Sequence, residues 1–287
     1  MSVCVTTRDR VEELDACLAA LWASRVKPGA VAVSDDSTSE EALRRNRETA
    51  ARYPGTTIVR GPRKGVCANR NNALRAAARG DLLSFVDDDI RLAPDFIELA
   101  LARYAALPGA NARAILSGVS RDERGGTLRA GRLTFRGFFG AAPARRLETV
   151  AIHAAVFPRA LFDEELWDEN IFFGYEDAEL CLRALKRGYR IEHCPELAAF
   201  NFGADRSTLR GAGRGALSDY ELHVAAARLY VGVKRHGTIF PDRVRLAAFL
   251  GVYAAQLAVH LTRKRSWGAF AEIVRRSRWT AALKEGA

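Results

Sequence analysis

Apolar and polar positions along the first hundred residues alternate between two periods. Ser2–Thr7 (SVCVTT), Ala30–Ser34 (AVAVS), Thr57–Arg60 and Leu82–Val86 are short apolar or β-branched runs that read as buried strands. Between the first two, Val11, Leu14, Leu18 and Leu21 recur at helical spacing, which predicts a helix over Val11–Ala23. Ser39 can cap a second helix running to about Tyr53, where Pro54-Gly55 breaks it. Gly65 opens a third through Ala78, and Pro94 starts a fourth over Asp95–Leu107. The series βαβαβαβα implies an α/β fold with a Rossmann-like, mostly parallel, right-handed sheet and flanking helices. In such sheets ligands sit outside the carboxyl ends of the strands. The acidic segments after Val33 and Val86 fall there.

The pattern then loosens. The stretch from about Asn111 to Arg146 is rich in Gly and Arg and poorly periodic, as for strands joined by mobile loops; Thr149–Phe157 returns to a buried apolar run. A helix is expected over Asp177–Arg187, stopped by Gly188, followed by a last clear strand at Arg190–Cys194. Gly203–Gly215 reads as a flexible basic loop and everything beyond Ser218 as helix. The expected organisation is an α/β domain over 1–215 and a basic helical extension over 216–287.

Composition sharpens that division. With 287 residues, 48% hydrophobic, the chain can bury a sizeable core in one domain plus an appendage. Between 228 and 287 twelve Lys and Arg face three acids, so nine of the ten net positive charges lie there. Such a segment calls for an anionic partner. No nucleic-acid motif is present and the acidic strand ends would repel phosphate, so nucleic acid is not expected. An anionic membrane surface fits better. Leu246–Leu261 is strongly apolar, yet at about 16 residues it is shorter than the ~20 of a spanning helix. Arg245, Gln256, His260 and Lys264 share one face, and Arg263-Lys264-Arg265, Trp267 and Trp279 follow. An amphipathic helix on a membrane surface is expected, with a hairpin packed on the domain or a dimer contact as the alternative. Cys4, Cys17, Cys67, Cys181 and Cys194 include no C-x-x-C pair, which disfavours disulfides or zinc and suits core residues in a reducing cytosol. The chain opens on a strand-like run with no basic-then-apolar leader, so the expected location is cytoplasmic, peripheral at the inner face of a membrane.

Three acidic segments carry the candidate chemistry. Phe85-Val86-Asp87-Asp88-Asp89 ends a strand in carboxylates whose repulsion a divalent cation would relieve. Mg2+ and Mn2+ favour a few carboxylate oxygens together with substrate phosphates. An acidic turn capping the helix after Pro94 would use the same residues. Gly174-Tyr175-Glu176-Asp177 sets carboxylates at a helix start, where one can act as general base or simply cap the helix. In Val33-Ser34-Asp35-Asp36-Ser37 an Asp can accept hydrogen bonds from a base or ribose, or close an Asx-turn.

In order, T-x-R, D-D-S, G-V-x-x-x-R-N-x-A, F-V-D-D-D and G-Y-E-D-x-E-L-x-x-R-x-x-x-x-G-Y make the chain resemble the family 2 glycosyltransferases from about Val3 to Phe202. The resemblance implies a GT-A fold and an inverting, metal-dependent transfer from a nucleotide-diphosphate sugar, UDP by default. The acceptor would be a hydroxyl of a saccharide, lipid-linked or cell-envelope glycan. It implies nucleotide-sugar binding by Thr6, Arg8, Asp35, Asp36, Arg63, Lys64, Asn69, Arg70, Asp87 and Asp88. It implies Mn2+ or Mg2+ on Asp89 and Asp87, the outer positions of D-x-D. Asp177 is implied as catalytic base with Glu176 beside it, and Trp167, Asp168 and Tyr175 as acceptor-side residues.

Two features depart from the pattern. Where many relatives carry a His after the last strand, this chain reads Ala199-Phe200-Asn201-Phe202, making Asn201 the candidate replacement; His193 sits within the strand and reads as core. Arg206, Arg210 and Arg214 are candidate diphosphate clamps, or part of a solvated basic loop. The Q-x-x-R-W of processive synthases is missing, the sole Gln being Gln256, so transfer of a single sugar is expected. Specificity is expected from the Asn111–Arg146 loops and from His153, Trp167, Phe172 and Tyr175. The alternatives are a nucleic-acid- or membrane-binding protein on a degenerate GT-A domain, or a nucleotidyltransferase-like enzyme. Thr6–Arg10 does not supply the Gly-rich phosphate loop of the latter.

Overall fold

The structure, a computed structural model, describes residues 1–78, 80–109, 113–203, 209, 213–214 and 217–284. Its first half is the expected alternation: β1 (Ser2–Thr7), α1 (Val11–Trp22), β2 (Ala30–Asp35), α2 (Glu40–Ala51), β3 (Thr56–Arg60), α3 (Val66–Ala76), β4 (Leu82–Asp87), β5 (Ile90–Leu92) and α4 (Phe96–Ala105). There follow β6 (Ala114–Asp122), β7 (Thr127–Arg129), the short hairpin β8 (Arg132–Leu133) and β9 (Phe139–Gly140), β10 (Ala155–Pro158), α5 (Arg159–Glu164), α6 (Glu176–Lys186) and β11 (Arg190–Asn201). After β12 (Gly213–Arg214) and β13 (Leu217–Ser218) come α7 (Asp219–Lys234), α8 (Arg243–Arg263), α9 (Phe270–Ser277) and α10 (Trp279–Lys284).

The central sheet runs β3-β2-β1-β4-β10-β6-β11-β5, with β7 on β6. Its first four strands are parallel, and β10 is antiparallel to both neighbours. Side chains alternate across it as a pleated strand requires. Val3 and Val5 face a core with Leu14, Leu18, Val31 and Phe96; Cys4, Leu83 and Phe85 face another with Trp167 and Leu180. Helices on both faces complete the mostly parallel, GT-A-like α/β architecture expected above.

Three elements differ from their sequence reading. The poorly periodic stretch contains β6, whose first seven residues are all buried; a strand covered on both faces shows no alternation to detect. β11 continues through Pro195 to Asn201 by a register shift between His193 and Ala198, a bulge that accommodates the missing N–H. Lastly, α8 has 21 residues, because charged Arg243, Arg245 and Arg263 extend the apolar run into a longer helix. It is long and apolar enough to cross a membrane by length and composition alone, with mean hydropathy 1.5 over an 18-residue window, so the shortness inferred from the apolar run does not hold.

The C-terminal helices join the body's core. Leu222, Leu229 and Val233 of α7, and Phe249, Tyr253, Leu257 and Leu261 of α8, belong to the same apolar cluster as Phe85 and Leu180. A reciprocal capping box between Ser218 and Glu221 starts α7. At its far end Lys234 Nζ lies 2.6 Å from Asp168 and 3.0 Å from Glu179, a buried ion cluster that fastens α7 to α6. All five cysteines are buried and free.

Candidate active site

The parallel register of β1 on β4 sets Thr6 beside Asp87. Thr6 Oγ1 donates to Asp87 Oδ1 and Thr7 Oγ1 to Asp88 Oδ2, both at 2.7 Å. Arg10 then bridges the next two carboxylates, donating to Asp88 and, at 2.6 Å, to Asp89 Oδ2. Burial pushes the Asp88 carboxyl up to about 7 against the pull of Arg10. Burial also raises Asp87, but the hydrogen bond from His153 and the charge of Arg70 outweigh it and hold that carboxyl below the usual range. His153 Nε2 lies 3.4 Å from Asp87 Oδ2.

Arg70, on α3 and 2% exposed, is the hub. Its guanidinium reaches Glu176 Oε1 at 2.9 Å and Asp87 Oδ1 at 3.6 Å, and lies 5.0 Å from the Trp167 ring centre. It joins the β4 carboxylates to the start of α6. That start is held by two left-handed residues, Gly174 (φ 85°) and Tyr175 (φ 65°), the second unusual for a non-glycine residue. Asp177 follows in the first turn. Burial and the neighbouring Glu176 charge raise its carboxyl to about 7, despite stabilising backbone N–H groups at the helix start.

The opposite wall is built by close approach. Asp36 Oδ1 accepts from the Arg63 N–H at 2.8 Å, and Asn69 Oδ1 is buried with no hydrogen-bond partner. A Cβ at Gly61 would stand 2.2 Å from Asp36 Oδ1 and 2.6 Å from Asn69 Oδ1, so only glycine fits. Between these walls lies a cleft of about 420 Å3 lined by Thr6, Arg8, Asp36, Arg63, Asn69, Arg70, Asp87, Asp88, Asp89 and Glu176.

The profile of glycosyl transferase family 2 matches residues 2–166, a span holding both strand-end acidic segments and Arg70. The chain belongs to glycosyl transferase family 2. No curated protein matches it in sequence. Among solved structures it resembles S. aureus TarS 1-349 in complex with UDP-GlcNAc, at 18% identity and TM-score 0.58 over 98% of this chain and 83% of that one. The same TarS fragment in complex with UDP aligns at 16% identity and TM-score 0.57, over 87% and 70%. GalNAc-T7 with UDP, GalNAc and Mn2+ aligns at 13% identity and TM-score 0.62, over 88% and 54%. At these identities the shared property is the glycosyltransferase fold.

Several residues expected at the family's site lie elsewhere. Asp35 is buried beneath it, accepting from Ser37 N and Asn46 Nδ2 at 2.9 Å, which is the Asx-turn arrangement. Lys64 is exposed and does not line the cleft. Trp167, 2% exposed, packs among Phe85, Phe157 and Phe162 in the core and backs Arg70 instead of meeting an acceptor. Asp168 is ion-paired with Lys234 and bonded to the Tyr230 hydroxyl. Asp177 is as buried as its neighbour Glu176 and, unlike it, is not among the cleft-lining residues. Tyr175 stacks on Phe139 at 4.8 Å. Asn201 reaches the cleft, its Oδ1 accepting from the Gly203 N–H at 2.8 Å, whereas His193 is half-buried on β11. Arg206 and Arg210 lie outside the described residues.

Arg10 and Tyr220 line the cleft without having been singled out for it, and His153, expected to bear on specificity, lines it too. Arg10 had a readable cue: three successive carboxylates need a nearby cation, and it follows the strand that pairs with theirs. For a divalent ion, no group of three or more His, Cys, Asp or Glu side chains converges among the described residues. Asp87 and Asp89 can give two carboxylates, which fits Mg2+ or Mn2+ shared between a protein and substrate phosphates.

Proposed function

We propose that this glycosyltransferase moves a single sugar from a UDP-sugar to an acceptor hydroxyl with inversion, using Mn2+ or Mg2+. The observation that carries the reading is the convergence on one cleft of Asp36, Asn69, the β4 carboxylates and the start of α6, tied together by Arg70. Asp36 and the unpartnered Asn69 Oδ1 would accept hydrogen bonds from the base and ribose. Asp87 and Asp89 would hold the divalent ion, which when bound neutralises the departing diphosphate. Arg8 and Arg63 add positive charge at the donor end. Asp177, raised to about 7 and next in sequence to the cleft-lining Glu176, would take the acceptor's proton, while Glu176 anchors its helix on Arg70. The choice of UDP is supported by the UDP and UDP-GlcNAc in the TarS structures and the UDP in GalNAc-T7. Inversion rests on the family resemblance. We place the enzyme in the cytoplasm, peripheral on a membrane that carries a lipid-linked acceptor. The uncharged outer face of α8 between exposed arginines supports that placement.

Calorimetric titration with UDP, GDP and dTDP, with Mn2+ or Mg2+ and then with EDTA, tests the donor site. UDP is expected to bind in a metal-dependent way, and Asp89→Ala to lose that dependence. Folded protein that binds none of the three nucleotides would overturn the reading.

A further inference from the structure

A second cavity, of about 600 Å3, lies between the β8–β9 hairpin, α7 and α8. Tyr220 lines both it and the donor cleft, and Tyr175, the residue before Glu176, forms part of its wall. Phe138, Val224, Leu257 and Val259 make the lining largely apolar. Into this wall comes Arg228, 9% exposed, its guanidinium 4.3 Å from the Phe138 ring centre and 4.9 Å from that of Tyr253. Arg228 Nε has no hydrogen-bond partner, and no carboxylate pairs with this side chain among the described residues. Burying a guanidinium without a countercharge is costly, and a ligand anion would supply what is missing. A second cation, Arg136, stands in the same lining, its Nε 2.6 Å from the Gln256 side-chain amide, which satisfies it when turned so that its oxygen accepts.

The cavity is continuous with the outside of α8. Ala255 and Val259 line it and also belong to an exposed stripe with Val244, Ala248, Gly251 and Thr262, recurring at helical spacing without a charge. Arg243 and Arg263 stand at the ends of that stripe, and neither pairs with a carboxylate among the described residues. An apolar channel with a buried unpaired cation at its inner end matches a ligand with an anionic head and a hydrocarbon tail. Tyr220, Glu221, Gln256 and His260 also line the cavity, and Glu221 is already engaged by Ser218 and Lys264.

We propose that this groove binds the lipid end of the acceptor, with its phosphate at Arg228 and Arg136 and its hydrocarbon leaving over Val259 and Ala255. The acceptor hydroxyl then enters past Tyr175 toward Asp177. The inference rests on the transferase reading and adds to its lipid-linked acceptor a binding site and an anionic head group.

Calorimetry with dodecyl phosphate below its micelle concentration, dodecanol and inorganic phosphate tests it, with UDP titrated in parallel. Dodecyl phosphate is expected to bind at least about tenfold more tightly than either other probe, a difference of about 1.4 kcal/mol. Ala255→Trp, at an exposed position, fills the groove and is expected to weaken it about tenfold with UDP binding intact. Arg228→Gln removes the preference over dodecanol; Arg136→Gln, at the same site, is the check should Arg228→Gln fail to fold. Equal binding of dodecanol and dodecyl phosphate, or no effect of Ala255→Trp, overturns the proposal. Normal UDP binding with no dodecyl phosphate binding sinks this inference alone, whereas loss of UDP binding in wild type sinks the transferase reading beneath it.

Discussion

Asp177 combines the chemistry proposed for it with a measurable burden on the fold. Its carboxyl is raised from 3.8 to about 7, chiefly by burial and then by Glu176. Between those values the native state holds a proton that the unfolded chain has released, so this group's contribution to stability is full below about pH 4 and is lost as pH rises through about 7. Asp177→Asn should therefore melt at the same temperature as wild type near pH 4 and at least ~2 °C higher above pH 7. Sugar transfer should fall by about 10²–10⁴-fold, and the wild-type rate should rise with pH through about 7. Equal melting temperatures at pH 8, or a rate already flat at pH 5, would remove Asp177 as the base. The carboxylates of this site were legible in the sequence because Asp and Glu cluster at strand and helix ends. The pairing was not: Arg10, Arg70 and His153 come from separate segments, and only the folded register brings them within 4 Å of Asp89 and Asp87.

Among the elements, α3, β4 and α6 are joined by a single guanidinium. Val66 N donates to Phe172 O at 2.8 Å, and a Cβ at Gly65 (φ 99°) would come within 2.5 Å of that oxygen, so α3 docks directly on the segment leading to α6. Arg70 then neutralises Asp87 and Glu176 across the same junction. Removing one partner of a buried ion pair costs about 3–5 kcal/mol because a charge is left unmatched. Arg70→Met should lower stability by that order in a denaturant titration. The double variant Arg70→Met with Glu176→Gln should recover part of it. If the double variant lost the sum of the two single losses, Arg70 would not be coupling these elements. The four parallel strands were readable from short apolar or β-branched runs. The elements that escaped are those whose pattern is erased by context: β6, buried on both faces, and the second half of β11, beyond its bulge.

For the whole molecule, charge and apolar surface are segregated onto the C-terminal helices. Nine of the ten net charges lie beyond residue 227. The buried stripe of α8, Phe249, Tyr253, Leu257 and Leu261, fixes that helix to the body and turns its uncharged stripe outward. Trp267, 54% exposed, and Phe270 lie just beyond Arg263-Lys264-Arg265. Alternating aromatic and basic residues next to an apolar helix face suit the interface of an anionic bilayer, where each basic residue contributes about 1 kcal/mol. The packing on the body and the outward face are compatible, because the two stripes lie on opposite sides of one helix. Purified protein should sediment with vesicles containing anionic lipid at low salt and detach as salt rises. Changing Arg263, Lys264 and Arg265 together to Gln should weaken sedimentation about 100-fold while leaving the UDP affinity unchanged. Protein that stays in solution with anionic vesicles at low salt would overturn membrane attachment. Binding that persists at high salt and survives the triple change would make the apolar stripe, and not the cations, the dominant contact.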